Sequence, residues 1–292
     1  MHSNRLGWIL LAPTLVILFF FGVVPFIYVV FVSFHQWNPF AANPDMIFNG
    51  AENFRRLVFD TAFLNSIGVT IAFVVFAVSS QVVLGYFLAQ AFMRDFPGKA
   101  FFRTIHTLPL IMAPIIVGSV WKLMTTPSIG IIPHYLDEWF GITMNIGTSA
   151  VAAFATTVIM DVWHWTPLVT LTLIAALVSL PQDPFEQAQI DGANSRQIFW
   201  HITLPMIAPA LIATVFIRLM DAMRIVDEVY MLTGGGPGSA TRYVGVHIFR
   251  EVFPKTNYGY GSAISVIVLY LTIVVCWLLY VSMLAPRNTK KG

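Results

Sequence analysis

The chain is poor in charge. Of its 292 residues only 10% are Asp, Glu, Lys or Arg, against about 25% in a soluble domain, so it lacks the polar surface that would keep it dissolved in water. A formal net charge of +2 gives no basis for nucleic-acid binding. One cysteine, Cys276, stands alone; it excludes an intrachain disulfide and reads as an inert buried thiol. No Gly-x-x-x-x-Gly-Lys-Ser/Thr loop is present, so this chain carries no phosphate-binding loop for ATP. His-Glu-x-x-His and Gly-x-Ser-x-Gly are also missing, which removes the basis for an intramembrane enzyme. Repeat halves, common in secondary transporters, are absent, as are low-complexity tracts.

Apolar length is abundant instead: 57% of the residues are hydrophobic. They gather in six blocks, at 8–34, 62–92, 100–124, 149–180, 204–232 and 258–284. Each exceeds the roughly 20 residues that a helix needs to cross a hydrocarbon layer. Backbone polar groups in lipid must be satisfied within their own segment, so these blocks predict helices, and the short alternating strands of a barrel do not occur. The first block is too long for a cleaved signal peptide and has bulky residues where the cleavage site would sit. The expected fold is an all-α integral membrane protein with six transmembrane helices. With the N-terminus inside, cytoplasmic segments hold eight Lys or Arg against six outside, the C-terminal Arg287, Lys290 and Lys291 being the clearest anchor.

Ionisable residues within spans face a bundle interior or a wet cavity by default. The fifth block carries Arg218, Asp221, Arg224, Asp227 and Glu228 at spacings of three and four, which on one helix brings opposite charges within reach. This stripe reads equally as the polar wall of a substrate path or as a structural ion-pair ladder. Arg224 and Asp221 are the better ligand candidates, because Asp227 and Glu228 are expected near the outer surface. The fourth block contains Asp161-Val162-Trp163-His164-Trp165-Thr166-Pro167. Trp163 and Trp165 beside Asp161 offer a sugar an apolar platform and a hydroxyl acceptor; interfacial packing is the plainer reading of the same rings. His164 reads as a hydrogen-bonded packing residue, with no second metal ligand at helical spacing.

The segment between the fourth and fifth blocks reads LPQDPFEQAQIDGANSRQIFWHITLPMIAPAL from Leu180 to Leu211. Asp183 as N-cap, Pro184 at the first helical position and Glu186 as the capping-box partner predict a short helix. Gly192 suits the left-handed position that ends it. Asn194 and Gln197 repeat the capping pattern for a second short helix carrying Ile198, Phe199, Trp200 and Ile202, after which Pro205 opens the fifth span.

This segment resembles the cytoplasmic loop of ABC-importer permeases, whose pattern is Glu-Ala-Ala, then three residues on Asp-Gly-Ala, then Ile-x-Leu-Pro. Here it stands as Glu186-Gln187-Ala188, Asp191-Gly192-Ala193 and Ile202-Thr203-Leu204-Pro205, with Gln187 replacing the middle alanine. Further stretches are similar to the maltose-type carbohydrate-uptake branch: Asp227 to Pro237 (DEVYMLTGGGP), Glu52-Asn53-Phe54, Phe102-Arg103 with Leu108-Pro109, and Gly261-Ser262-Ala263. The resemblance implies a type I importer fold, with residues 1–60 forming the first helix and a periplasmic segment. It implies a core over 61–285 with a coupling loop at 181–205, and a cytoplasmic tail at 286–292. Glu186, Ala188, Asp191, Gly192, Ala193, Leu204 and Pro205 would serve ATPase coupling; Asp161, Trp163, Trp165, Arg218, Asp221 and Arg224 remain the substrate-path candidates. Implied partners are a second homologous permease, two ATPase subunits that hold ATP and Mg, a periplasmic or lipid-anchored binding protein, and membrane lipid. No cofactor or metal is expected on this chain. The implied role is import of a sugar, polyol or derivative across a bacterial or archaeal inner membrane by alternating access, the rival being a self-sufficient secondary transporter or a permease for a non-carbohydrate solute.

Overall fold

The structure, a computed structural model, describes residues 2–284, the side chains of 2–6, 9 and 282–284 excepted. The basic anchor Arg287, Lys290 and Lys291 and the tail 286–292 lie outside the described residues. Among the described residues, five helical segments are long and apolar enough to cross a membrane: Leu10–Ser33, Thr61–Met93, Ala150–Val178, Ser195–Ala222 and Tyr258–Val281. The sixth expected span is a pair, Lys99–Ile111 and Pro114–Thr125, bent by 104° at their junction.

Two compact units are distinguished, one formed by the chain up to Leu64 with His247–Val274, the other by Asn65–Val246 and the chain from Val275 on. In the first, α1 (His2–Leu18) passes through a π turn at Phe19–Val23 into α2 (Val24–Ser33). A two-residue hairpin follows, β1 (His35–Gln36) pairing antiparallel with β2 (Ile47–Phe48), and then α3 (Glu52–Phe59). Asn53 fixes this corner: its side-chain amide donates to the carbonyls of Ser33 and His35, each at 2.9 Å. Asp60 then caps α4 (Thr61–Met93), its Oδ1 accepting from the backbone N–H of Ala62 at 2.9 Å and Phe63 at 3.1 Å. Burial pushes the Asp60 carboxyl up, but the hydroxyl of Tyr260 and those two amides outweigh it and hold it below its ordinary value. The cap's charge-linked stability is therefore present above the unfolded-state pKa and lost only as pH falls through the depressed folded value.

The second unit continues through α5 (Lys99–Thr107), α6 (Pro114–Thr125), α7 (Ile131–Phe140) and α8 (Ala150–Val178). The third block is therefore a bent pair of helices rather than one continuous helix, and Pro114 explains the break. Pro114 starts α6 without an N–H to give α5, and the steric demand of its ring holds the preceding Ala113 extended at φ −65°, ψ 138°. The chain then forms α9 (Asp183–Ile190), α10 (Ser195–Ile198), α11 (Leu204–Ala222), α12 (Asp227–Thr233), α13 (Val244–Val252) and α14 (Tyr258–Leu284). The fifth block was expected to run unbroken from 204 to 232. Its helix instead reaches back to Ser195 and stops at Ala222, and Asp227–Thr233 is a separate short helix.

The core of this unit is apolar, with Phe73, Ala77, Val117, Ala153, Met160, Val229 and Tyr243 wholly buried. One close approach inside it requires glycine. A Cβ on Gly118 in α6 would lie 2.3 Å from the backbone oxygen of Glu228 and 2.7 Å from its Cα, distances that no rotamer change relieves because both atoms are backbone. Gly118→Ala is expected to cost about 1–3 kcal/mol through overpacking, read as a lowered thermal midpoint of the purified protein. An unchanged midpoint would show that α6 and α12 separate without penalty.

Candidate functional site

The loop from α9 to α11 is built from hydrogen bonds that its sequence makes available. α9 begins one residue earlier than expected, with Gln182 in the N-cap position, and the predicted Asp183–Glu186 capping box does not form. The Gln182 carbonyl accepts from the N–H groups of both Phe185 and Glu186, so the donor that Asp183 would have capped is already taken. At the other end Gly192 adopts φ +76°. The Ala193 N–H reaches the Ala188 carbonyl at 2.9 Å and the Gly192 N–H reaches Gln189 at 3.1 Å, the paired bonds of a Schellman turn. The Asn194–Gln197 capping box forms in both directions, at 2.9 and 2.8 Å.

The second short helix is not separate from the span. α10 continues through a π turn at Phe199–Thr203 directly into α11. Pro205 explains the widened turn: its ring clashes with the carbonyl four residues back and offers no N–H, and a π turn relieves both conflicts. Of the coupling candidates, Ala188 is buried and Ala193 and Leu204 half-buried, whereas Glu186, Asp191, Gly192 and Pro205 are exposed. In the same loop Ile190 is 85% exposed and Trp200 55% exposed.

The substrate-path candidates fall into two environments. Asp161 and Arg218 are each 1% exposed and form a buried ion pair. Arg218 Nη2 donates to Asp161 Oδ2 at 3.0 Å and Oδ1 at 3.2 Å, Nε donates to Gln81 Oε1 at 2.8 Å, and Nη1 donates to Asp221 Oδ2 at 2.6 Å. Gln81 closes the ring by donating to Asp161 Oδ2 at 2.7 Å. The guanidinium also lies over the Trp165 ring, 4.6 Å from its centroid. α4, α8 and α11 are thereby tied through one cation.

Asp221, Arg224 and Trp165, with Pro114, Asp227 and Glu228, line a cavity of about 180 Å³. Trp163 is half exposed and packs edge-on against Trp121. The expected stripe of five charges on one helix is not seen, because α11 ends at Ala222, before Arg224, and Asp227 and Glu228 lie on the separate helix α12. Glu228, expected near the outer surface, is 3% exposed and bonds His164 Nδ1 at 3.2 Å, so His164 is a hydrogen-bonded packing residue. Gln81, the Glu228–His164 pair and Gly118 escaped the reading of the sequence. A polar Gln amid the apolar run of α4 was the signal available for the first. Among the described residues no group of three His, Cys, Asp or Glu could hold a metal ion.

Comparison with known proteins bears on the same segments. Residues 81–290 match the family described as "Binding-protein-dependent transport system inner membrane component". The chain is 34% identical to the trehalose/maltose transport system permease protein MalF of Thermococcus litoralis, over 93% of this chain and 91% of that one. It is 32% identical to the probable starch degradation products transport system permease protein AmyD of Thermoanaerobacterium thermosulfurigenes, over 97% and 95% respectively. Its fold matches, at a TM-score of 0.81 and 19% identity over 98% of both chains, a crystal structure of a bacterial ABC transporter involved in the import of the acidic polysaccharide alginate. The fold is thus the helical type I importer fold, and the matched region contains the whole loop 181–205 and every charged residue of the buried network. The chain belongs to the binding-protein-dependent transport system inner membrane component family and is a permease subunit of an ABC importer.

Proposed function

We propose that this permease carries a sugar or sugar-like polyol by alternating access, driven by ATP hydrolysis on separate ATPase subunits. The observation that carries this reading is the exposed, doubly capped projection at 181–205, which presents Ile190 and Trp200 on a rigid turn. One of two ATPase subunits, which hold ATP and Mg, docks there, and the other docks on the second permease. A second, homologous permease completes the pathway, and a periplasmic or lipid-anchored binding protein delivers substrate from outside. The relatives named for trehalose, maltose and starch products support the carbohydrate class. Asp161 and Arg218 act from within the protein, while Trp165, Asp221 and Arg224 border the path; Trp163, packed on Trp121, is not in that lining.

Reconstitution in proteoliposomes tests the assignment. This chain alone is expected to move no labelled maltose or trehalose, whereas the complete complex does so with ATP inside the cytoplasmic face. Unaided movement by the single chain would replace the reading with that of a secondary transporter.

Orientation is tested separately. With both termini cytoplasmic, a reporter fused after Gly292 should report a cytoplasmic position and one inserted within 238–256 a periplasmic one. A periplasmic signal from the C-terminal fusion inverts the arrangement and removes the coupling loop from the ATPase side.

A further inference from the structure

The cavity beside Trp165 has more carboxylates than cations in its lining. Three carboxylates line it, Asp221, Asp227 and Glu228, against the single guanidinium of Arg224. Glu228 is engaged by His164. Asp221 differs: its side chain remains 37% exposed while its Oδ2 is held at 2.6 Å by the buried Arg218. The same guanidinium stacks on Trp165, so one immobile cation fixes both the carboxylate and the ring at the cavity. A carboxylate is acceptor-only. It is satisfied by a hydroxyl, which brings a proton to donate, and repelled by a phosphate, sulfonate or carboxylate, which bring none. Charge repulsion adds to the second effect. The indole supplies the flat apolar surface against which the C–H face of one sugar ring packs.

We infer that Asp221 is the specificity-determining acceptor of this cavity, admitting neutral polyhydroxylated rings and excluding phosphorylated, sulfonated or uronic sugars. The inference rests on the proposed reading of the cavity as part of the substrate path. Arg218 is the residue that positions Asp221 and does not itself touch substrate.

The test uses the complete complex in nanodiscs without binding protein, so that selection upstream of the permease does not contribute. Quenching of tryptophan fluorescence is titrated with glucose, maltose and trehalose, and with glucose 6-phosphate and glucuronate. Trp165→Phe identifies the part of the signal that comes from the cavity. At least one neutral sugar is expected to give a saturable, Trp165-dependent signal, with the anionic sugars weaker by roughly tenfold or more. Asp221→Asn should bring anionic and neutral sugars within about threefold of each other, and Asp221→Glu, which retains the charge, should restore the gap. Equal binding of neutral and anionic sugars to the unaltered protein, with a Trp165-dependent signal, overturns the selectivity while leaving the cavity as a substrate site; this comparison needs no variant to fold. A gap unchanged in Asp221→Asn removes Asp221 from the role. Absence of any Trp165-dependent signal overturns the reading of the cavity itself.

Discussion

Gly192→Val should abolish uptake while the permease still inserts and the binding protein still docks outside. Gly192 holds φ +76°, a conformation that costs an L-residue on the order of 1–2 kcal/mol and a β-branched one more. Nothing lies within 4 Å of a Cβ placed there, so the penalty comes from the backbone and not from collision. The turn can relieve it only by giving up the two bonds from Gly192 and Ala193 to the last turn of α9. Ile190 and Trp200 then no longer project from one rigid element, and the fit to the ATPase is lost. Gly192→Asn separates the two explanations, because Asn tolerates the left-handed region and should keep most of the transport. ATPase activity stimulated by loaded binding protein is the measurement. Full stimulation in Gly192→Val would deny the turn any part in coupling. Glu186→Gln is expected to be milder, since Glu186 is exposed and makes no cap.

The second large effect is expected at Arg218. Arg218→Met leaves Asp161 buried with only Gln81 as donor, and removing one partner of a buried pair costs about 3–5 kcal/mol. That is a large fraction of the roughly 5–15 kcal/mol by which folded domains are stable. The yield of folded complex should fall sharply, whatever the substrate. Adding Asp161→Asn removes the orphaned charge and keeps an acceptor for Gln81, so the double variant should recover much of the loss. Thermal midpoints in detergent provide the comparison. Equal midpoints for Arg218→Met and the parent would show that the network is dispensable for folding.

Much of this was legible along the chain where chemistry is local. Apolar length located the helices, and Gly192 and the Asn194–Gln197 box revealed the form of the loop, because caps and left-handed turns depend on residues a few positions apart. The errors lie where tertiary packing decides. A charge spacing of three and four suggests one stripe only if the helix persists, and α11 stops at Ala222. Glu228 looks superficial by position, yet the absence of a Cβ on Gly118 lets α6 lie against its backbone and His164 reaches it from α8. Gln81 and Arg218 stand 137 positions apart, a separation at which one sequence carries no periodic signal. The Asp183 cap failed for a local reason that propensity does not capture: a backbone carbonyl claimed the donor first.

The continuity of α10 with α11 has a mechanical consequence. From Ser195 to Ala222 the chain forms 28 helical residues, a rod about 42 Å long at 1.5 Å per residue. One end emerges from the projection at Ile190 and Trp200, and the other carries Arg218 and Asp221. A tilt of roughly 10° about the midpoint would swing each end by about 4 Å in opposite senses, more than the length of a hydrogen bond. A lever arm of this kind needs no relay of side chains to reach across the bilayer. A force applied at 181–205 would arrive at the Asp221 carboxylate as displacement of the same piece of backbone.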